Sequence, residues 1–103
     1  MVLTRNSRYT VIERIRREPT FAHTLLHEAQ TAFAQGEPAL ARLLLRDLVH
    51  GTIGFEGLAA AMQTPSKSLH RMLSARGNPR MDNLSQIFDM LRKEIEKAAL
   101  LYK

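Results

Sequence analysis

Apolar residues recur at helical spacing along most of the chain, in segments separated by glycine and proline, and this pattern constrains the fold most. Between Pro19 and Gly36, for example, Phe21, Leu25 and Ala29 mark one stripe with a period of about 3.6 residues. The same pattern predicts helices over residues 8–18, 21–33, 38–48, 55–62, 65–74 and 82–98. No segment shows the sustained alternation of apolar and polar residues that marks a strand. We therefore predict an all-α fold, a compact bundle of about six helices.

The size and composition fit one globular domain. The chain has 103 residues, of which 45% are hydrophobic and 24% charged, and single domains most often contain about 100–150 residues. We predict a single domain over residues 1–103. Within this domain, residues 1–51 are predicted to form an N-terminal helical extension that completes the core or offers a dimer or partner surface. Residues 52–103 form the remaining part, which contains the motif described below.

The sequence also bears on the compartment. It contains no cysteine, which suits a reducing environment and excludes disulfides and thiolate metal sites. It shows neither the apolar segment of a signal peptide nor an uncharged run of about 20 residues that could span a membrane. We therefore expect a cytoplasmic protein with no membrane partner.

The positive charge is concentrated in one part of the chain. Fifteen basic residues against ten acidic ones give a net charge of +5. Residues 57–81 contain no acidic residue and four basic ones, Lys67, Arg71, Arg76 and Arg80, so that 11 basic residues face all ten acids elsewhere. A basic segment alone is more often a solvated surface, but together with a matching motif it favours a polyanionic partner such as nucleic acid.

A tight turn at residues 63–65 joins two short predicted helices. Ala59 provides a small side chain where the helices cross, and the apolar residues that lock the pair together are Leu58, Met62, Leu69 and Met72. Glycine is the usual residue in such a turn, and Gln63 takes its place here. Thr64 is predicted to cap the second helix through its hydroxyl, and Pro65 to occupy the first helical position. Asp82 or its neighbour is predicted to cap the last helix.

The stretch from Phe55 to Leu73 resembles the Cro/CI-type helix-turn-helix of the lambda-repressor-like (XRE) regulators. The loop at 77–80 and the following Asn83 and Leu84 are similar to the loop and next helix of that family. More narrowly, residues 52–84 are similar to small bacterial regulators described as addiction-module antidotes, many of which are encoded beside a RelE/ParE-like toxin. The resemblance covers roughly residues 53–95 and makes the 52–103 part a helix-turn-helix DNA-binding unit.

The resemblance implies a sequence-specific transcriptional regulator that binds double-stranded DNA as a homodimer, regulates its own operon and acts as the antitoxin of a toxin–antitoxin module. In a helix-turn-helix, the second helix reaches base edges in the major groove. Lys67 and Arg71 would donate to guanine or phosphate, and the residues of the following loop would contact the backbone. Carried onto this sequence, the DNA-binding residues are Thr64, Pro65, Ser66, Lys67, Ser68, Arg71, Arg76, Asn78 and Arg80.

Other interpretations belong to different classes. The alternative function is a protein-interaction module that mainly binds and neutralises a RelE/ParE-like toxin through the apolar helices at 8–50 or the C-terminal residues 98–102. His23 and His27 have the spacing of a metal-binding pair, but no third ligand is suggested, so we expect no metal. His50 and His70 are interpreted as isolated side chains. We expect no cofactor and no enzymatic activity, because the chain has no phosphate loop, nucleophile elbow or cysteine.

Overall fold

The structure, a computed structural model, describes residues 5–101 and the side chains of residues 9–101. Its six helices are α1 (Arg5–Arg17), α2 (Pro19–Ala34), α3 (Pro38–Gly51), α4 (Gly54–Met62), α5 (Ser66–Met72) and α6 (Met81–Leu101). No strand occurs within residues 5–101. The prediction of an all-α bundle of about six helices is therefore confirmed.

Proline and glycine set several of the helix boundaries. Pro19 and Pro38 are the first residues of α2 and α3, where the fixed φ of proline suits the helix and its missing N–H group costs nothing. At the other end of α2, which finishes at Ala34, Gly36 adopts a φ of 77°. This left-handed conformation is the usual way in which a helix ends, and glycine adopts it without a steric penalty.

The capping role predicted for Thr64 is wrong. Its hydroxyl donates to the carbonyl oxygen of Met62 at 3.2 Å. Pro65 is the residue that precedes the first helical position of α5, with an extended ψ of 138°, rather than the first helical residue. Thr64 therefore lies one residue too early to serve as the N-cap, whose side chain must reach the amides of the first turn.

The start of α6 also differs from the prediction. The helix begins at Met81, so Asp82 lies within its first turn instead of capping it. The carbonyl oxygen of Arg80 accepts the first helical hydrogen bond, from the amide of Leu84 at 2.9 Å. An acidic side chain in the first turn still favours the helix, because it faces the positive end of the helix dipole.

One hydrophobic core unites the helices of both halves of the chain. α2 packs against α1, α3 and α6, whereas α5 packs on α4. α1 and α2 contribute Ile15, Leu25 and Leu26 to the same buried cluster. The largest fully buried side chains are Leu45, Leu48, Val49, Leu58, Leu69, Leu73, Ile87 and Leu91. The N-terminal helices thus complete the core on which α4 and α5 rest. No helix between residues 5 and 101 is both long enough and apolar enough to cross a membrane.

Candidate nucleic-acid interface

The turn between α4 and α5 is formed by a left-handed residue. Gln63 has a φ of 51° and a ψ of 44°. The amide of Thr64 then donates to the carbonyl oxygen of Ala59 at 3.0 Å, which closes the end of α4. Left-handed backbone is typical of the residue that ends a helix and is usually glycine. Gln63, which takes the place of the usual glycine in the turn, therefore adopts the left-handed backbone that glycine would favour.

The side chains predicted to lock the two helices together do lie between them and the core. Leu58 and Leu69 are fully buried, and Met62 is almost so. Met72 is half-buried and packs against the core cluster. Ala59, the small residue at the crossing, is also buried. Buried apolar contacts of this kind fix a short helix that could not be stable alone.

Arg42 of α3 holds the end of α5, and the sequence analysis did not identify it. Its Nε donates to the carbonyl oxygen of Ser74 at 3.0 Å, and its Nη2 donates to that of Ala75 at 2.9 Å. Both acceptors belong to the segment that follows α5. Because one guanidinium binds two successive carbonyls, it fixes both the position and the direction of the chain there. The only signal in the sequence is an arginine one turn before the buried Leu45.

The segment after α5 also makes a close backbone approach. A Cβ atom on Gly77 would lie 2.0 Å from the carbonyl oxygen of Met72 and 2.6 Å from that of Arg71. No side chain fits at these distances, because the obstacle is backbone. The amide of Gly77 donates to the carbonyl oxygen of Ser74 at 3.0 Å. Glycine at this position therefore lets the chain fold back tightly beneath α5.

The structure brings the predicted DNA-binding residues to one region, α5 and the segments that flank it. Lys67 and Arg71 are exposed and four residues apart, so they share one face of the helix. In the connection from α5 to α6, Arg76, Asn78 and Arg80 are exposed. Pro65 is exposed as well, whereas Thr64, Ser66 and Ser68 are half-buried. The half-buried residues thus offer less surface to a partner than the sequence suggested.

The basic side chains of this region lack acidic partners. Within residues 9–101, ion pairs join Arg14 to Glu18, Arg16 to Glu13, Arg92 to Asp89 and Glu96, and Lys93 to Asp89. None of the four basic residues between positions 57 and 81 takes part in an ion pair there. Their charge is available to a polyanion, whereas much of the charge on α1 and α6 is neutralised locally.

One carboxylate reaches the region from the first turn of α4. The hydroxyl of Ser66 donates to Oε1 of Glu56 at 2.9 Å. The acid-free segment begins just after this residue, so the charge pattern of the sequence did not reveal it. The hydrogen bond joins the first turn of α4 to the first turn of α5, which are ten residues apart. Glu56 therefore belongs to the same surface as the basic residues.

His50 and His70 are not isolated, contrary to the sequence interpretation. The ring of His70 stacks on Phe55 with centroids 3.9 Å apart and planes 12° from parallel. The ring of His50 meets the same phenylalanine at 4.9 Å and 57°. The pKa of His50 is lowered from its ordinary value by partial burial, and further by the nearby charges of His70 and Arg46. The two histidines thus join α3, α4 and α5 through one aromatic ring.

His23 and His27 of α2 have no third metal-ligating side chain near them among the described residues. Both side chains are exposed. In the described part of the chain, no group of three or more histidine, cysteine or acidic residues is placed so that it could hold a metal ion.

No protein-family model, curated protein or solved structure matches the chain.

Proposed function

We propose that this chain is a sequence-specific DNA-binding transcriptional regulator, in which α4 and α5 act as a helix-turn-helix and α5 enters the major groove. The observation that carries the proposal is the set of four basic side chains on α5 and the following connection that take part in no ion pair within residues 9–101. They lie on and after the second of two short helices, which are joined by a turn with a left-handed residue, Gln63. The charge supplies attraction to phosphate and the helix supplies a shape that fits the groove.

The positions of the residues support a role for each. Lys67 and Arg71 project from the exposed face of α5, so they are assigned to base edges or to the phosphates that border the groove. Arg76, Asn78 and Arg80 lie in the connection to α6 and are assigned to the phosphate backbone, which fixes register without reading sequence. The resemblance to Cro/CI-type regulators supports binding as a homodimer and autoregulation, and the antidote resemblance supports an antitoxin role.

The proposal can be tested in two steps. The wild-type chain first selects its preferred duplex from a random pool, and the affinity of protein variants for that duplex is then measured. Lys67→Ala and Arg71→Ala are each expected to weaken binding to that duplex by about fivefold or more, because a good contact to a base contributes about 1–3 kcal/mol. Lys93→Ala is the control, since it removes the same charge from an ion-paired lysine of α6 and should leave affinity nearly unchanged. Equal losses in all three variants would contradict the assignment of α5 as the recognition helix.

A partner-binding role is the second candidate, and exposed apolar residues favour it. Leu100 and Leu101 at the end of α6 are 68% and 76% exposed. They belong to the C-terminal segment that the sequence analysis named as a contact for a toxin. Replacing both by serine should abolish capture of a RelE/ParE-like toxin and leave DNA binding intact, if the two roles coexist on separate surfaces.

A further inference from the structure

We infer that Glu56 and Ser66 act together as a base-reading pair that selects an exocyclic amino group, above all the N4 amino group of cytosine, at the base pair that faces the start of α5. The inference rests on the proposed function, because it requires α5 to lie in the major groove. It adds a specificity-determining residue, Glu56, from outside the recognition helix.

The geometry places the pair at the leading edge of α5. Ser66 is the first residue of that helix, and Glu56 lies in the first turn of α4. Their side chains meet at 2.9 Å, in a contact that faces solvent. Glu56 is exposed, and Ser66 is half-buried. A base edge that approaches the start of α5 would therefore meet these two side chains together.

The side chains of Glu56 and Ser66, once hydrogen-bonded to each other, present only acceptors to solvent. A carboxylate has no proton to donate, so the hydroxyl of Ser66 must be the donor. Its one proton is then used, and its oxygen presents lone pairs to a ligand. No other hydrogen bond to the carboxylate of Glu56 exists among the described side chains, so Oε2 is free to accept. The donors on this face, Lys67 and Arg71, lie further along α5.

The major groove contains few groups that such a pair can bind. Guanine presents only acceptors there, and thymine presents an acceptor and a methyl group. Adenine offers an amino group, but its N7 acceptor lies beside it and would repel the carboxylate. Cytosine offers an amino group with no acceptor beside it on the same base. The pair therefore favours cytosine, tolerates adenine and rejects guanine and thymine. Phosphate is excluded as its target because both groups are anionic.

The test compares the sequences selected by the wild-type chain and by Glu56→Gln from one pool of random duplexes. The wild-type chain is expected to enrich cytosine at one position of each half-site, and replacing that cytosine by guanine or thymine should weaken binding by about fivefold or more. In Glu56→Gln the amide can donate as well as accept, so the preference at that position should fall below about twofold while other positions are retained. Ser66→Ala should weaken the same preference, because the carboxylate loses the group that orients it.

Glu28→Gln is the matched control, since it removes one exposed carboxylate from α2 and should leave the selected sequence unchanged. A wild-type chain that enriches a sequence whose cytosine preference survives in Glu56→Gln would overturn this inference alone. A wild-type chain that enriches no sequence would overturn the proposed function, and this inference with it. Circular dichroism of each variant tests whether the fold is intact. We expect it to be, because Glu56 and Glu28 are exposed and Ser66→Ala removes only a hydroxyl group.

Discussion

At the scale of single residues, Gln63 carries the backbone conformation on which the α4–α5 turn depends. It is the only non-glycine residue with a positive φ in the described chain. Left-handed backbone costs an L-residue about 1–2 kcal/mol, because Cβ approaches the following carbonyl oxygen. A second glutamine, Gln35, also ends a helix, but with a φ of −90°. The two residues therefore compare the same side chain at a helix end in two backbone conformations.

Gln63→Gly should therefore raise the free energy of unfolding by about 0.5–1 kcal/mol, because relief of strain exceeds the entropy that glycine adds to the unfolded chain. Gln35→Gly relieves no strain and should lower that free energy slightly. Urea denaturation followed by circular dichroism measures both variants. Equal changes at the two positions would contradict the assignment of strain to Gln63.

At the scale of helices, the stack of His50, Phe55 and His70 places titratable side chains where α3, α4 and α5 meet. The pKa of His50 lies below its ordinary value of 6.5, mainly through burial and then through His70 and Arg46; Asp47 opposes the shift and Arg16 adds to it. The unfolded chain therefore binds this proton first as the pH falls. When the unfolded state binds more protons than the folded state, a fall in pH lowers the free energy of unfolding. The stability that depends on neutral His50 is therefore complete above pH 6.5 and is lost as the pH falls below that value.

His50→Gln should flatten the dependence of the melting temperature on pH between about pH 7 and pH 5, the range in which histidine titrates. His23→Gln serves as the control, because His23 is an exposed histidine of α2 outside the stack. Thermal melts at several pH values provide the measurement. If His23→Gln flattened the profile as much as His50→Gln, the stack would not be the source of the pH dependence.

Local sequence signals predicted the helices better than they predicted the contacts between them. Pro19, Pro38 and Gly36 act on their own backbone, so their effects can be deduced from neighbouring residues. Arg42 binds carbonyls about 30 residues later in the chain, and Glu56 binds Ser66 across the turn. Neither contact produces a periodic pattern in the amino-acid sequence from which it could be predicted. The burial of Thr64, Ser66 and Ser68 was missed for the same reason, because it depends on how α5 packs on α4.

At the scale of the whole molecule, the N-terminal helices and the α4–α5 pair share one core. Leu45 of α3 is fully buried in the same cluster as Leu58 of α4 and Leu69 of α5. Leu40 lies on α3 as well, but is 42% exposed. A shared core of this size usually unfolds in a single cooperative transition. Damage to α3 should therefore reach α5, although the two helices are far apart in sequence.

Leu45→Ala should lower the free energy of unfolding by about 2–5 kcal/mol, through lost burial and the cavity that remains. Leu40→Ala should lower it by less than about 1 kcal/mol, as is typical of surface changes. Denaturation followed by amide NMR signals measures both effects, and the signals of α5 should disappear together with those of α2 and α3. Persistence of α5 after α2 and α3 have unfolded would show that the halves fold separately.

If α5 reads DNA sequence, the unmodified chain must bind one duplex more tightly than another of the same composition. Fluorescence anisotropy would compare a duplex enriched by selection with a scrambled duplex of the same composition, at about 50 mM and about 200 mM salt. We expect the selected duplex to bind about 10³-fold more tightly than the scrambled one, and salt to weaken both complexes. Equal affinities for the two duplexes, or no binding to either, would show that α5 does not read DNA sequence.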